Sequence, residues 1–190
     1  APWYLRTNAN HVDLNRNFPA DWDTVELGYG LDSTDLTSAT YRGPCPNSEP
    51  ETQALMHALC SQHPNVLFSF HGLAGICGAS LLGPRVAEQD KTYQGNATLL
   101  GHTYAQEILS KQSPEESVIY ATTAGSLPLW CYQKLQIPAF DIEISGTEGG
   151  GVNKIIREDA TTPLLLKDYQ VKHRNAVLAV MHWLANTTRE

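Results

Sequence analysis

Apolar and polar positions follow two patterns along the chain, one typical of strands and one typical of helices. Residues 65–70 are apolar and aromatic, which predicts a short buried strand that ends at His71. Residues 139–144 place apolar side chains on one face and Asp141 and Glu143 on the other, which predicts another strand. Segments with helical spacing lie between and after these strands. The order of elements therefore favours an α/β protein with a largely buried sheet.

The predicted helices differ in how clearly their ends are marked. Ser48, Pro50 and Glu51 have the spacing of an N-cap, a first-turn proline and a capping-box acid, which predicts a helix start. Cys60, in the same helical pattern, is expected to be a buried thiol. Helical spacing is also found in residues 98–109, 127–135 and 169–184. Residues 19–48 show little apolar periodicity, and so long a connection predicts a functional or binding loop.

Length and composition limit the classes of function. With 190 residues the chain can build one substantial core, so a single domain over residues 1–190 is expected. A formal net charge of −7 gives no electrostatic basis for binding nucleic acid. No apolar run has the length of a membrane span. The four cysteines form no C-x-x-C pair, which argues against a structural zinc knuckle and leaves a disulfide open. We expect a cytoplasmic protein, with a periplasmic or secreted one as the alternatives, and the oligomeric state is left open.

The run from Asp13 to Pro19 is the most informative stretch of the sequence. Arg16 offers a rigid fork of donors that fits a carboxylate bidentately, and the Asn15 amide adds donors that suit the same oxygens. The run therefore predicts a carboxylate-binding site. The alternative is a polar turn that ends a strand over residues 12–14.

Three further residues are candidates for chemistry. His71 follows a buried strand, where α/β sheets place their sites, and imidazole is the commonest zinc ligand; the alternative is a core histidine. Glu143 is a candidate general base at a strand end, although a solvent-facing strand edge would equally explain the Asp141 and Glu143 face. Tyr120 offers a phenol on a predicted flexible loop, with a partly buried aromatic as the alternative.

Together these motifs resemble the M14 metallocarboxypeptidases, and the resemblance extends from Arg6 to about residue 184. It implies a three-layer sandwich in which a mixed, largely buried sheet is flanked by helices. It also implies that Arg6, nine residues before Asn15, stabilises the oxyanion of the scissile carbonyl. Asn15 and Arg16 would grip the terminal carboxylate of the substrate. Asp13 would be the acid that orients a zinc-bound histidine.

The resemblance assigns the remaining site residues to zinc binding, catalysis and substrate recognition. His71 matches a zinc ligand, and Glu143 matches the catalytic glutamate. Tyr120, six residues before Ser126, matches a mobile tyrosine that closes over the substrate. Leu127 falls near the pocket for the substrate side chain, and an apolar residue there argues against selection of basic C-termini.

Within the family, three segments are most similar to the bacterial murein peptide amidases, which cut the γ-D-glutamyl to diaminopimelate bond of cell-wall peptides. The segments are residues 13–19, 48–55 and 125–131. The expected partner is thus a peptide or cell-wall peptide with a free carboxylate. Two alternatives are an acylamino-acid deacylase of the aspartoacylase and succinylglutamate desuccinylase type, and a carboxylate-binding protein without catalytic activity.

One family motif is missing from the sequence. The resemblance implies one Zn²⁺ held by His71 and by a His-x-x-Glu motif upstream of Arg6, and none of the seven histidines has a glutamate three residues later. A catalytic zinc needs three protein ligands. We therefore expect two of the ligands to lie outside this sequence, which would make the chain the C-terminal portion of a metallocarboxypeptidase domain. The alternative is a metal-free relative.

Overall fold

The computed structural model describes residues 6–24, 34–71, 81–85, 90–108, 118–120, 122–143 and 163–187. For Glu143 and residues 163–169 it describes the backbone alone. The chain divides into two compact units. The first unit comprises Ala1–Leu67 and Ala121–Ala139, and the second comprises Phe68–Tyr120 and Phe140–Glu190.

Within the described ranges, four strands form one mixed sheet. They are β1 (Leu67–His71), β2 (Leu81–Gly83), β3 (Val118–Tyr120) and β4 (Ala139–Glu143), in the spatial order β1-β4-β2-β3. Strand β2 is parallel to β3, with Leu81 opposite Val118, and antiparallel to β4, with Leu81 opposite Ile142. The predicted strands at residues 65–70 and 139–144 are confirmed, and the sheet is mixed as expected.

The helices are α1 (Pro50–Gln62), α2 (Lys91–Ile108), α3 (Leu127–Trp130) and α4 (Pro163–Thr187), and α3 continues into a π-helical turn at Cys131–Leu135. In the second unit, α2 packs against β2, β3 and α4. Gly101 allows this close approach, since a Cβ there would lie 2.2 Å from Cγ2 of Val118. None of the helices in the described ranges is long and apolar enough to cross a bilayer.

Each unit has buried apolar side chains of its own. In the first unit, Phe18 and Leu59 pack with Leu127 and Trp130 in one core cluster. This cluster joins the Asp13–Pro19 run, helix α1 and helix α3. In the second unit the fully buried side chains come from the sheet, from α2 and from α4, and they include Leu81, Tyr104, Phe140, Ile142 and Val180.

Two predictions about helix α1 are wrong, each for a physical reason, and the alternative strand at residues 12–14 is not observed. The capping box at Ser48 does not form, because helix α1 begins one residue later with Glu49 as its N-cap. The Ser48 hydroxyl instead donates to the Glu49 carboxylate at 2.7 Å. Cys60 is exposed, because it lies on the outer face of α1. Residues 12–14 are not a strand, because a 3₁₀ turn begins at Leu14.

Candidate active site

The Asp13–Pro19 run forms a tight, capped turn. Leu14–Arg16 is a 3₁₀ turn, and Asp13 caps it by accepting a hydrogen bond from the Asn15 backbone N–H at 3.2 Å. The Asp13 carbonyl also accepts from the Arg16 backbone N–H at 2.9 Å. Both bonds close the turn around the two predicted carboxylate-binding residues, which we call the clamp (Asn15 and Arg16).

The Asn15 side chain is oriented by a residue 112 positions away. Its Oδ1 accepts a hydrogen bond from the Leu127 backbone N–H at 2.9 Å. A side-chain amide has one acceptor oxygen and two donor hydrogens on nitrogen. Because the oxygen faces Leu127, the donor end of the amide faces away from it. The structure thus brings two predicted site residues, Asn15 and Leu127, into direct contact.

Arg16 is buried, with 7% of its surface exposed, and its Nη1 donates to the Asn15 carbonyl at 2.7 Å. Gly125 packs directly on its backbone. Gly125 has a φ of +69°, and a Cβ there would lie 2.2 Å from the Arg16 carbonyl oxygen. The Gly125 carbonyl accepts from the Phe18 N–H at 2.9 Å, and its N–H donates to the Ala20 carbonyl at 2.7 Å. The segments around residues 13–20 and 125–127 are therefore built as one piece.

Asn17 is a structural residue of this piece that the sequence did not single out. It is fully buried, and its Nδ2 donates to the Arg42 carbonyl at 2.9 Å and to the Ser48 hydroxyl at 3.0 Å. Its Oδ1 accepts from the Glu49 N–H at 3.2 Å. Asn17 thus fixes the turn against the loop before α1. The signal in the sequence that could have identified Asn17 is its position directly after the clamp.

Arg6 and Asp13 form an ion pair in the first unit. Arg6 Nε lies 2.8 Å from Asp13 Oδ2, with 41% of the Arg6 side chain and 6% of the Asp13 side chain exposed. In the part of the chain that the structure describes, Arg6 uses Nε for its hydrogen bond, which it donates to Asp13 Oδ2. The pair holds Arg6 beside the turn. The suggested role of Asp13 toward a zinc-bound histidine stays a prediction.

His71 and Asp141 form a pair in the second unit, on the neighbouring strands β1 and β4. His71 Nε2 lies 3.1 Å from Asp141 Oδ1 and 3.0 Å from Ser69 Oγ. Asp141 is buried, so a solvent-facing strand edge does not explain this carboxylate. Glu143 is the last residue of β4, and its side chain lies outside the described residues.

Tyr120 does not lie on a loop, because it is the last residue of β3 and packs against α2. Its hydroxyl lies 2.8 Å from Thr98 Oγ1 and donates to the Gln94 carbonyl at 3.1 Å. Burial raises the pKa of Tyr120, partly opposed by the bond with Thr98. The phenol is therefore neutral at pH 7 and able to donate.

The predicted site residues fall into two groups. Arg6, Asp13, the clamp and Leu127 belong to the first unit, whereas His71, Tyr120 and the Glu143 backbone belong to the second. Within the described ranges, no three His, Cys, Asp or Glu side chains come together as a metal site. The donor chemistry at the end of β1 nevertheless suits one zinc ligand, since metal-binding imidazoles commonly have a carboxylate on their other nitrogen.

A family model described as zinc carboxypeptidase, peptidase M14, matches residues 2–164. The chain belongs to the zinc carboxypeptidase family. It is 36% identical over 132 residues to murein peptide amidase A of Escherichia coli K12, which covers 67% of this chain and 46% of that protein. It is 28% identical over 178 residues to human mast cell carboxypeptidase A, which covers 85% of this chain and 40% of that protein. The resemblance to this family and to its murein peptide amidases is confirmed.

The fold agrees with the zinc carboxypeptidase family. The crystal structure of carboxypeptidase A from Helicoverpa armigera matches 94% of this chain with a TM-score of 0.64 and 18% sequence identity, and the match covers 43% of that structure. The expected carboxypeptidase-like α/β fold with a mixed sheet is confirmed. The chain spans less than half the length of the curated relatives described above.

Proposed function

We propose that this chain is part of a zinc-dependent peptidase that hydrolyses a peptide or amide bond next to a free carboxylate. The observation that carries the proposal is the contact between Asn15 Oδ1 and the Leu127 N–H at 2.9 Å. This contact turns the donor end of the Asn15 amide away from Leu127, and amide donors suit a substrate carboxylate. Both units would belong to one catalytic domain.

The clamp would bind and orient the substrate. Arg16 would supply a charge-assisted fork to the carboxylate, and Asn15 would add a donor to one of the same oxygens. The ordered turn fixes both residues before the substrate arrives, so little conformational entropy is lost on binding. Leu127, whose side chain is buried in the core beside the clamp, would place an apolar wall near the substrate side chain.

His71 would be one of the protein ligands of the zinc. The other two would come from outside this sequence, because the sequence contains no His-x-x-Glu motif. A zinc ion held there would supply Lewis-acid chemistry, which lowers the pKa of water to about 7.

The remaining residues would move protons and stabilise charge. Glu143 would take a proton from the attacking water and pass it to the leaving nitrogen. Arg6 would donate hydrogen bonds from its terminal nitrogens to the developing oxyanion, while the Nε bond to Asp13 holds the side chain in place. Tyr120 would close over the substrate after giving up its bonds to Thr98 and the Gln94 carbonyl.

A cell-wall peptide is the substrate class that we favour. The chain is 36% identical to a murein peptide amidase and 28% identical to a carboxypeptidase A. We therefore expect hydrolysis of a γ-D-glutamyl diaminopimelate peptide to be faster than hydrolysis of a peptide with a hydrophobic C-terminal residue.

The test is a hydrolysis assay of the full-length protein that the gene encodes, loaded with zinc, on three substrates. These are a γ-D-glutamyl diaminopimelate peptide, a peptide with a C-terminal hydrophobic residue, and an N-acyl amino acid. We expect the first to be cleaved fastest, with activity lost in Glu143→Gln and kept in Glu107→Gln, a matched change at an exposed position on α2. Preference for the N-acyl amino acid would support a deacylase instead. An inert protein that binds no zinc would refute the proposal.

A further inference from the structure

The Tyr120 hydroxyl is bonded to two groups on one turn of helix α2. It donates to the Gln94 carbonyl at 3.1 Å, and it lies 2.8 Å from Thr98 Oγ1. A phenol has a single proton, and the Gln94 carbonyl accepts it. The Thr98 hydroxyl must therefore be the donor in the shorter contact. The phenol oxygen is thus engaged both as a donor and as an acceptor.

Helix α2 presents these two groups side by side. Gln94 and Thr98 are four residues apart, and positions four apart lie on the same face of a helix, one turn from each other. A carbonyl oxygen has two lone pairs, so the Gln94 carbonyl can accept from the phenol as well as from the helix. Both bonding partners of the hydroxyl are therefore fixed by one rigid element.

The ring of Tyr120 rests on strand β2. Gly83 lies opposite Tyr120 in the parallel pair of β2 and β3. A Cβ at residue 83 would lie 3.0 Å from Cδ1 and 3.1 Å from Cε1 of the Tyr120 ring. Carbon atoms in favourable contact are about 3.5–4.0 Å apart, so the ring can lie this close because residue 83 has no side chain. The bonds to α2 and the contact with β2 together hold Tyr120 in one position.

A phenol held in this way has no proton left for a substrate. We propose that the Thr98 hydroxyl and the Gln94 carbonyl form a latch that retains Tyr120 on α2, and that the strength of this latch limits substrate affinity. This inference rests on the proposed function, in which Tyr120 closes over the substrate. Because the backbone of Tyr120 belongs to β3, Tyr120 leaves the latch by rotation of its side chain. Thr98 is thus a positioning residue that acts through Tyr120.

The latch lowers substrate affinity because Tyr120 must be released before it can close. When the binding-competent state is a small fraction of the molecules, the apparent dissociation constant rises in inverse proportion to that fraction. One neutral hydrogen bond corresponds to about a 5-fold change in such an equilibrium. Removing the Thr98 bond should therefore raise the released fraction about 5-fold and lower KM by about the same factor.

The first measurement needs neither zinc nor a substrate. Tetranitromethane nitrates phenols through their ionised form, and burial raises the pKa of Tyr120, so the latched phenol should react slowly. The nitration rate is followed by mass spectrometry of the peptide that contains Tyr120. Thr98→Val should be nitrated there about 5-fold faster than the wild type. Thr98→Ser, which keeps the hydroxyl, should react at the wild-type rate.

The second measurement determines KM and kcat of the full-length protein that the gene encodes, loaded with zinc, on the γ-D-glutamyl diaminopimelate peptide. Thr98→Val should lower KM about 5-fold with little change in kcat, and Thr98→Ser should keep the wild-type KM. Tyr120→Phe and the double variant Tyr120→Phe/Thr98→Val should have the same KM, because the latch acts through the phenol.

Thr103→Val is the matched control for the change at Thr98. It removes a hydroxyl from the same helix, where that hydroxyl donates to the Leu99 carbonyl of α2 itself at 2.8 Å. Because this bond does not involve Tyr120, neither the nitration rate of Tyr120 nor KM should change. If Thr98→Val does not fold, Gly83→Ala carries the test, since a Cβ at residue 83 displaces the ring and should likewise speed nitration and lower KM.

The outcomes separate this inference from the proposed function. Faster nitration of Tyr120 in Thr98→Val, together with a lower KM, would support the latch. An unchanged nitration rate, or an unchanged or higher KM with hydrolysis intact, would overturn the latch and leave the proposed function standing. A wild-type protein that does not hydrolyse the peptide would overturn both.

Discussion

Replacing Gly125 with alanine should separate the two segments that build the clamp. An alanine Cβ would lie 2.2 Å from the Arg16 carbonyl oxygen and 2.6 Å from its carbonyl carbon. These atoms belong to the backbone, so no side-chain rotation relieves the overlap. The chain must move away from Arg16 or abandon the positive φ of +69°.

The cost can be worked out from the contacts at stake. A left-handed conformation disfavours alanine by about 1–2 kcal/mol relative to glycine. Moving the segment also weakens the hydrogen bonds from Phe18 N–H to Gly125, from Gly125 N–H to Ala20, and from Leu127 N–H to Asn15. Each such bond contributes about 1 kcal/mol. We expect Gly125→Ala to lower the free energy of unfolding by about 3–5 kcal/mol.

The measurement is urea unfolding followed by tryptophan fluorescence, because Trp130 lies in the core beside this segment. Gly95→Ala is the matched control. Gly95 is exposed in α2, and a Cβ there meets no atom within 4 Å, so alanine should stabilise the protein by about 0.5–1 kcal/mol. A loss below about 1 kcal/mol in Gly125→Ala would refute the close approach of residue 125 to Arg16.

Three more predictions follow from the described contacts. Asn15→Asp keeps an acceptor for the Leu127 N–H but replaces the amide donors with a negative charge. The affinity for a carboxylate substrate should therefore fall at least about 100-fold, with little change in stability. Similar KM values for Asn15→Asp and wild type would contradict this. Burial acts to raise the pKa of Glu49, but hydrogen bonds from Ser48, Asn8 and Asn10 together outweigh it and lower the pKa below its ordinary value. Glu49 therefore stabilises the folded state above about pH 4.5, and this contribution is lost as the pH falls. In denaturant unfolding, Glu49→Gln should cost about 2–3 kcal/mol at pH 7 and less at pH 3.5. A difference in unfolding free energy between wild type and variant that does not change with pH would contradict the lowered pKa. Tyr120→Phe should cost about 1 kcal/mol of stability and should be non-additive with Thr98→Val in a double-mutant cycle, whereas additive effects would contradict the bond between the two hydroxyls.

The sequence predicted the elements whose signals are local. Strand β4 shows a clear alternation of apolar and polar residues, and β1 is a compact apolar run, so both were found within two residues of their observed ends. The short helix at Leu127–Trp130 and its extension to Leu135 were also expected. Strands β2 and β3 have three residues each, which is too short for a periodicity to be visible. Their order in the sheet depends on long-range pairing.

The candidate site was predictable in its residues and less so in its contacts. The Asp13–Pro19 motif singled out Asn15 as a candidate, but nothing local could show that its side chain is oriented by a backbone N–H 112 residues away. The alternation left a solvent-facing strand edge open for Asp141, and only the packing of β4 within the sheet reveals its burial. Tyr120 looked like a loop residue because β3 is so short.

We propose that the protein hydrolyses a bond next to a free carboxylate that the clamp recognises. The test measures kcat/KM of the full-length protein that the gene encodes, loaded with zinc, on two peptides. One is a γ-D-glutamyl diaminopimelate peptide, and in the other the diaminopimelate carboxylate next to the scissile bond is replaced by a carboxamide. The clamp offers donors from Arg16 and Asn15, and a carboxamide can accept from only one oxygen and carries no charge. We expect the carboxylate peptide to be favoured at least about 100-fold. Equal kcat/KM values for the two peptides would contradict it.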